Sequence, residues 1–83
     1  MSATVCTVRV AAPELHEGSI AVVGGNARYL RRPARALSGW VAWEYTTHRP
    51  DGSVTGHGVM EVRSDASVQV VAVTLDGATV VPS

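Results

Sequence analysis

Residues 39–63 read GWVAWEYTTHRPDGSVTGHGVMEVR, and this stretch decides the fold. Its centre, Arg49-Pro50-Asp51-Gly52, is a turn signal with a mechanism. Pro50 pre-sets φ, Asp51 bonds back to the backbone, and Gly52 takes the left-handed position. The usual product is a three-residue hairpin loop with a bulge at Gly52, pairing Arg49 with Ser53. On either side run β-branched and aromatic residues, so Gly39–His48 and Ser53–Arg63 are expected to be antiparallel strands.

The hydrophobic pattern prefers a different register from the turn, slipped by one to pair His48 with Ser53. In that register Val41, Trp43 and Tyr45 share a face with Val54, Met60 and Val62. Gly56 and Gly58 then lie opposite Tyr45 and Trp43 and leave room for the rings. One slip reverses every side chain, so both registers hold only if a bulge intervenes. An irregularity within Gly56-His57-Gly58 is therefore expected. Trp40 and Trp43, an odd number of residues apart, are sent to opposite faces. One of them belongs to a core, and the other is a second-core residue or a binding anchor.

Working outward, Ser67–Leu75 and Ala78–Val81 read as two more strands, so the C-terminal half reads as an antiparallel meander. A hairpin through Ser64–Ser67 would put Val71, Val73 and Leu75 beside the Trp43 face, with Val68, Val70 and Ala72 on the other. Apolar residues thus fall on both faces. The second face needs a cover: the N-terminal strands, residues 27–38, or another subunit. Towards the N-terminus, Thr4–Val10 and Ser19–Val23 read as strands joined by a loop broken at Pro13. A tight turn is expected at Gly24-Gly25-Asn26. The expectation is an all-β single domain over residues 1–83, a small antiparallel barrel or compact sandwich with a C-terminal β-meander. It includes at most one short helical turn near residues 33–38.

That turn belongs to the segment with two readings. Arg28, Arg31, Arg32 and Arg35 are spaced as one face of a helix, which would make a basic stripe for phosphates. Pro33 opposes a helix at that point by about 3 kcal/mol. The alternative is an extended run ending near Arg32, with Pro33 opening one turn through Leu37. The arginines then form no stripe and pair with acidic residues such as Glu14 and Glu17.

The chain has 83 residues, seven basic and seven acidic, and a formal net charge of zero. Charge therefore gives no steer towards nucleic acid or membrane. All basic residues are arginine, and the Ala/Val/Gly-rich composition fits a GC-rich bacterial source. The start, MSATVCTVRV, lacks the pattern of a signal peptide, and no stretch is long and apolar enough for a membrane helix. Cys6, the lone cysteine, reads as a small buried hydrophobe of a reducing compartment, hence a cytoplasmic location.

For chemistry, His57 is the strongest candidate. It faces Glu44 in one register and Tyr45 in the other, and a carboxylate beside an imidazole suits an acid or base. His48 and His57 lie too far apart to share a metal, so no metal site and no cofactor are expected. The leading functional expectation is a non-enzymatic binding module acting through protein contacts, self-associating as a homodimer and with room for another protein partner. That reading looks first to the face of Trp40 and Val70, with Trp40 as binding anchor. Nucleic-acid or polyanion binding through Arg28, Arg31, Arg32 and Arg35 stands second. A small enzyme or ligand pocket at His57, Glu44 and Tyr45 stands third.

Overall fold

Seven strands form one antiparallel sheet in the computed structural model, which describes residues 3–81. They are β1 (Thr4–Ala11), β2 (Ile20–Val23), β3 (Asn26–Ala34), β4 (Trp40–His48), β5 (Val54–Arg63), β6 (Ser67–Leu75) and β7 (Ala78–Val80). The order across the sheet is β1-β6-β2-β3-β4-β5, and β7 also pairs with β6. The sheet is not closed into a barrel; β1 and β5 end this path, and the three-residue β7, paired with β6 alone, has a free side of its own.

The turns are set by residues that tolerate positive φ. Gly24 and Gly25, at φ of 58° and 80°, make the two-residue link between β2 and β3, with Val23 opposite Asn26. Positive φ at both central positions is the mirror-image turn whose twist suits a hairpin. At the β4–β5 turn, Gly52 N–H donates to the Arg49 carbonyl and Arg49 N–H donates to the Ser53 carbonyl. The Arg49–Ser53 pairing expected from the turn is thus made. Asp51 Oδ1 accepts from both the Ser53 backbone N–H (2.8 Å) and the Ser53 hydroxyl (2.7 Å).

Beyond the turn the ladder shifts. His48 pairs with Val54, but Thr47 pairs with Gly56, so Thr55 is the extra residue of a bulge. The irregularity falls one residue before the Gly56–Gly58 segment. It also shifts the register the opposite way from the expected slip, putting Trp43 opposite Met60, Tyr45 opposite Gly58 and Thr46 opposite His57. Side chains alternate with period two, so a slip of one in either direction gives the same faces. Val41, Trp43, Tyr45, Met60 and Val62 therefore do pack together. Val54 does not join them; it lies on the turn side of the bulge, opposite His48, and is exposed. Gly58, and not Gly56, makes room for Tyr45: a Cβ there would stand 2.8 Å from the Tyr45 hydroxyl. Trp43 is buried at 7% exposure and Trp40 lies on the opposite face at 37%.

The meander breaks between β5 and β6. The three residues 64–66 join them, yet β5 is an edge and β6 pairs with β1, β2 and β7. Laid flat, strands separated by β2, β3 and β4 would stand about 19 Å apart. A three-residue link, with Met60 and Val70 in one core, requires the sheet to bend over on itself. The bend is fixed by Ser64 N–H donating to the Gly39 carbonyl and Ala12 N–H donating to the Ala66 carbonyl. The consequence reverses the expectation for β6. Val68, Val70 and Ala72 face the core, while Val71, Val73 and Leu75 take the outer face.

β3 runs as a strand through Pro33 to Ala34, residues 35–37 are irregular, and a non-helical turn follows at Ser38-Gly39, where Trp40 N–H donates to the Leu37 carbonyl; the one helical turn among the described residues is Ala12–Glu14, opened by Pro13. Pro33 lies opposite Trp43. It is tolerated because β2 pairs only with Asn26–Tyr29, so the missing N–H faces no described strand. Leu30 is 1% exposed in the core while Leu37 is 79% exposed. Among the described residues, no helix is long and apolar enough to cross a membrane. Met1 and Ser2, where the leader-peptide reading begins, lie outside the described residues.

Leu30→Ala should cost about 2–5 kcal/mol in a urea titration. Leu37→Ala should stay within about 0.5 kcal/mol of the parent. Similar losses at both sites would contradict the strand assignment.

The hydrogen bonds from the Ser53 hydroxyl and N–H hold the Asp51 carboxyl below its ordinary value of 3.8. A carboxyl with a lowered folded value stabilises the fold above the ordinary range and loses that effect as pH falls through the lower value. Asp51→Asn should therefore be less stable than the parent at neutral pH and converge with it in strong acid, as followed by thermal melts. A gap that persists in acid would contradict this.

Candidate functional site

Three regions carry polar or apolar groups that the core does not use. The first is the outer face of β3–β4–β5, where His57 was expected to meet Glu44 or Tyr45. His57 is opposite Thr46 instead. Glu44 is opposite Val59 and is held by Arg32, with Arg32 Nε donating to Glu44 Oε2 at 2.7 Å. The carboxylate holds the guanidinium further above its ordinary range. His57, Glu44 and Tyr45 do border one open cleft of about 300 Å3, but the acid–base couple is not formed.

A tighter network lies beside it. Arg31 is the extra residue of a second bulge, between Leu30 and Arg32. Its Nε donates to Thr46 Oγ1 at 2.8 Å, and Nη2 donates to His48 Nε2 at 2.9 Å. Thr46 Oγ1 stands 2.8 Å from the same His48 nitrogen, and His48 Nδ1 lies 3.0 Å from the Gly52 carbonyl. A carbonyl only accepts and a guanidinium only donates. In the neutral ring this pattern places the proton on Nδ1, and the ring ties the β4–β5 turn to the β3 bulge. Tyr29 packs edge-on against the ring at 4.6 Å.

The second region is the set of arginines. The strand disperses them. Arg28 lies over the Tyr45 ring at 4.6 Å, on the inner side of the sheet. Arg31 and Arg32 occupy the outer side, and Arg35 is exposed in the loop after β3. Arg32 is paired with Glu44 rather than with Glu14 or Glu17, so the basic stripe does not exist. Trp40 stands apart, stacked under Arg63 at 5.0 Å.

The third region is apolar. Val5 is opposite Val73, and Val73 is opposite Val80, so three valines form a row across β1, β6 and β7. Opposed residues point to one side, and this side faces away from the core. Val5 is 71% exposed, Val80 59%, and Leu75, opposite Ala78, 45%. Val71, opposite Thr7, extends the patch. Beside it runs the outer edge of β1, with which no described strand pairs. Val5, Leu75 and Val80 were not anticipated as surface groups. The signal was present in Ser67–Leu75, which is apolar at both parities, but its faces were assigned in reverse.

Among the described residues no group of three or more His, Cys, Asp or Glu side chains is placed to hold a metal ion. Cys6 is half-buried, its Sγ 3.6 Å from Thr74 Oγ1. Comparison with protein-family models, with curated proteins and with solved structures finds no match to this chain.

The hydrogen-bond pattern predicts that nitrogen chemical shifts of His48 at mildly alkaline pH report the Nδ1–H tautomer. Arg31→Ala should shift that signature towards Nε2–H. An Nε2–H tautomer in the parent protein would contradict the network.

Proposed function

We propose that this chain is a non-enzymatic interaction module that works as a homodimer through its β1–β6–β7 side. The observation that carries the reading is the Val5–Val73–Val80 row with Leu75. Scattered exposed apolar residues are ordinary, whereas a contiguous group marks an association face. The low charge of the chain and its zero net charge leave no general repulsion between copies. A domain of this length also buries a modest share of its surface alone, so a second copy adds the burial that one core lacks.

The other readings have less support. A polyanion site gains from several cations on one surface, and here Arg28 is separated from Arg31 and Arg32 by the sheet. A catalytic His57 gains from a carboxylate partner, and Glu44 is occupied by Arg32.

Light scattering after size exclusion should give twice the chain mass at tens of micromolar. Val5→Arg combined with Val80→Arg should give the single-chain mass with an unchanged far-ultraviolet circular dichroism spectrum. A parent protein that stays monomeric at millimolar concentration would overturn the reading.

A further inference from the structure

Given that homodimer reading, we infer that the two copies join by antiparallel pairing of β1 with β1 of the second copy, about a twofold axis through Thr7. The two strands at the ends of the sheet, β1 and β5, differ in kind. The β5 edge carries the Thr55 bulge, Gly56, His57, Gly58, Glu61 and Arg63. Bulges and charges of this sort keep an edge from templating another strand. The β1 edge has none of these devices. Its ladder to β6 runs unbroken from Thr4 opposite Thr74 to Ala11 opposite Ser67, and Arg9 is its one charge. With β5 bulged and β7 only three residues long, β1 is the one long regular edge among the described residues, and its pairing closes as a twofold dimer instead of running on as a filament.

The free hydrogen-bonding groups on this edge can be assigned. Ala12 N–H donates to the Ala66 carbonyl, continuing the β1–β6 register. In an antiparallel ladder such pairs alternate. The even-numbered residues of β1 therefore bond to β6. Val5, Thr7, Arg9 and Ala11 aim their N–H and C=O groups outward.

A twofold axis normal to the sheet keeps each face on its own side, so opposed residues share parity. Two registers give the longest overlap of Thr4–Ala11 with itself, one centred on Thr7 and one on Val8. Centred on Val8, the two Arg9 residues stand about 7 Å apart along the strand. Centred on Thr7, each Arg9 lies opposite Val5 of the second copy and the two arginines are about 14 Å apart. The screening length is about 8 Å at physiological salt, so the Thr7 register escapes the repulsion. It also sets Arg9, whose Nη1 donates to Ser67 Oγ at 3.2 Å, opposite Val5 of the second copy, the most exposed valine of the row. On the inner face it sets Cys6 beside Val8 and Thr4 beside Val10 of the second copy. The half-buried inner row of β1 thereby continues across the axis.

The test is cysteine scanning of the full chain in a Cys6→Ala background, with Val5→Cys, Thr7→Cys and Arg9→Cys as single variants. All three positions are exposed and face away from the core, which limits any folding defect. Residues facing each other across a hydrogen-bonded antiparallel pair have Cα atoms about 5.5 Å apart. That lies inside the disulfide range of about 4.4–6.8 Å. Under mild oxidation Thr7→Cys should convert to covalent dimer on a non-reducing gel, and Val5→Cys and Arg9→Cys should not. Light scattering of the reduced background protein separates the two failures. A dimer that cross-links at position 5 or 9, or at none, overturns the β1 pairing and leaves the homodimer reading standing. A monomer overturns both. Thr7→Pro gives an independent arm. It deletes one outward N–H at a position where the ladder to β6 needs none, so it should abolish dimerisation while the far-ultraviolet spectrum is kept. A Thr7→Pro protein that remains dimeric also overturns the pairing.

Discussion

The structure depends on one strand being apolar on both faces. β6 sends Val68, Val70 and Ala72 inward and Val71, Val73 and Leu75 outward. The inward set is the centre of the core. Val70 lies between Val8 of β1 and Ala21 of β2 and packs with Leu30, Trp43 and Met60. To bring β6 there the chain leaves β5 after three residues and crosses to the far end of the sheet, which forces the bend. The outward set has no layer above it. A sheet of this size can fold over once, and the fold covers one face only.

The fold and the candidate site therefore have a common cause. Had β6 paired with β5, β1 would have needed another neighbour and the valine row would not exist. Because β6 pairs with β1, the strand at that end of the sheet is eight residues long, regular and almost uncharged. Elsewhere the polar groups are matched locally: Arg32 by Glu44, Arg31 by Thr46 and His48, Asp51 by Ser53. Side chains that satisfy one another across neighbouring strands tie the β3–β4–β5 end together. The β1 edge is different, because its outward N–H and C=O groups have no described strand to bond.

Much of the local structure was legible in the residues themselves. The Arg49–Gly52 turn, the tight link at Gly24 and Gly25, the opposite faces of Trp40 and Trp43 and the need for a bulge near Gly56 all follow from short-range rules. Those rules act through φ preferences and a period of two. What could not be read was which strands become neighbours. Three residues between β5 and β6 suit a hairpin or a corner equally, and the choice rests on Val70 finding Val8 and Ala21 far away in sequence. The same gap explains the site. Glu44 sits opposite Val59 because of a single bulge residue at Thr55. The arginines part company because Asn26–Ala34 is extended, as Pro33 had indicated by opposing a helix, and because it is bulged at Arg31, which Pro33 did not indicate.

Amide hydrogen exchange along β1 tests the central claim most directly, because it reads the edge residue by residue in the unaltered protein. The N–H groups of Cys6, Val8 and Val10 bond to β6 and should be protected in any case. The account predicts that those of Val5, Thr7 and Arg9 are protected as well, and that this second set loses protection on dilution to the monomer. Unprotected exchange at Val5, Thr7 and Arg9 at high protein concentration would contradict it.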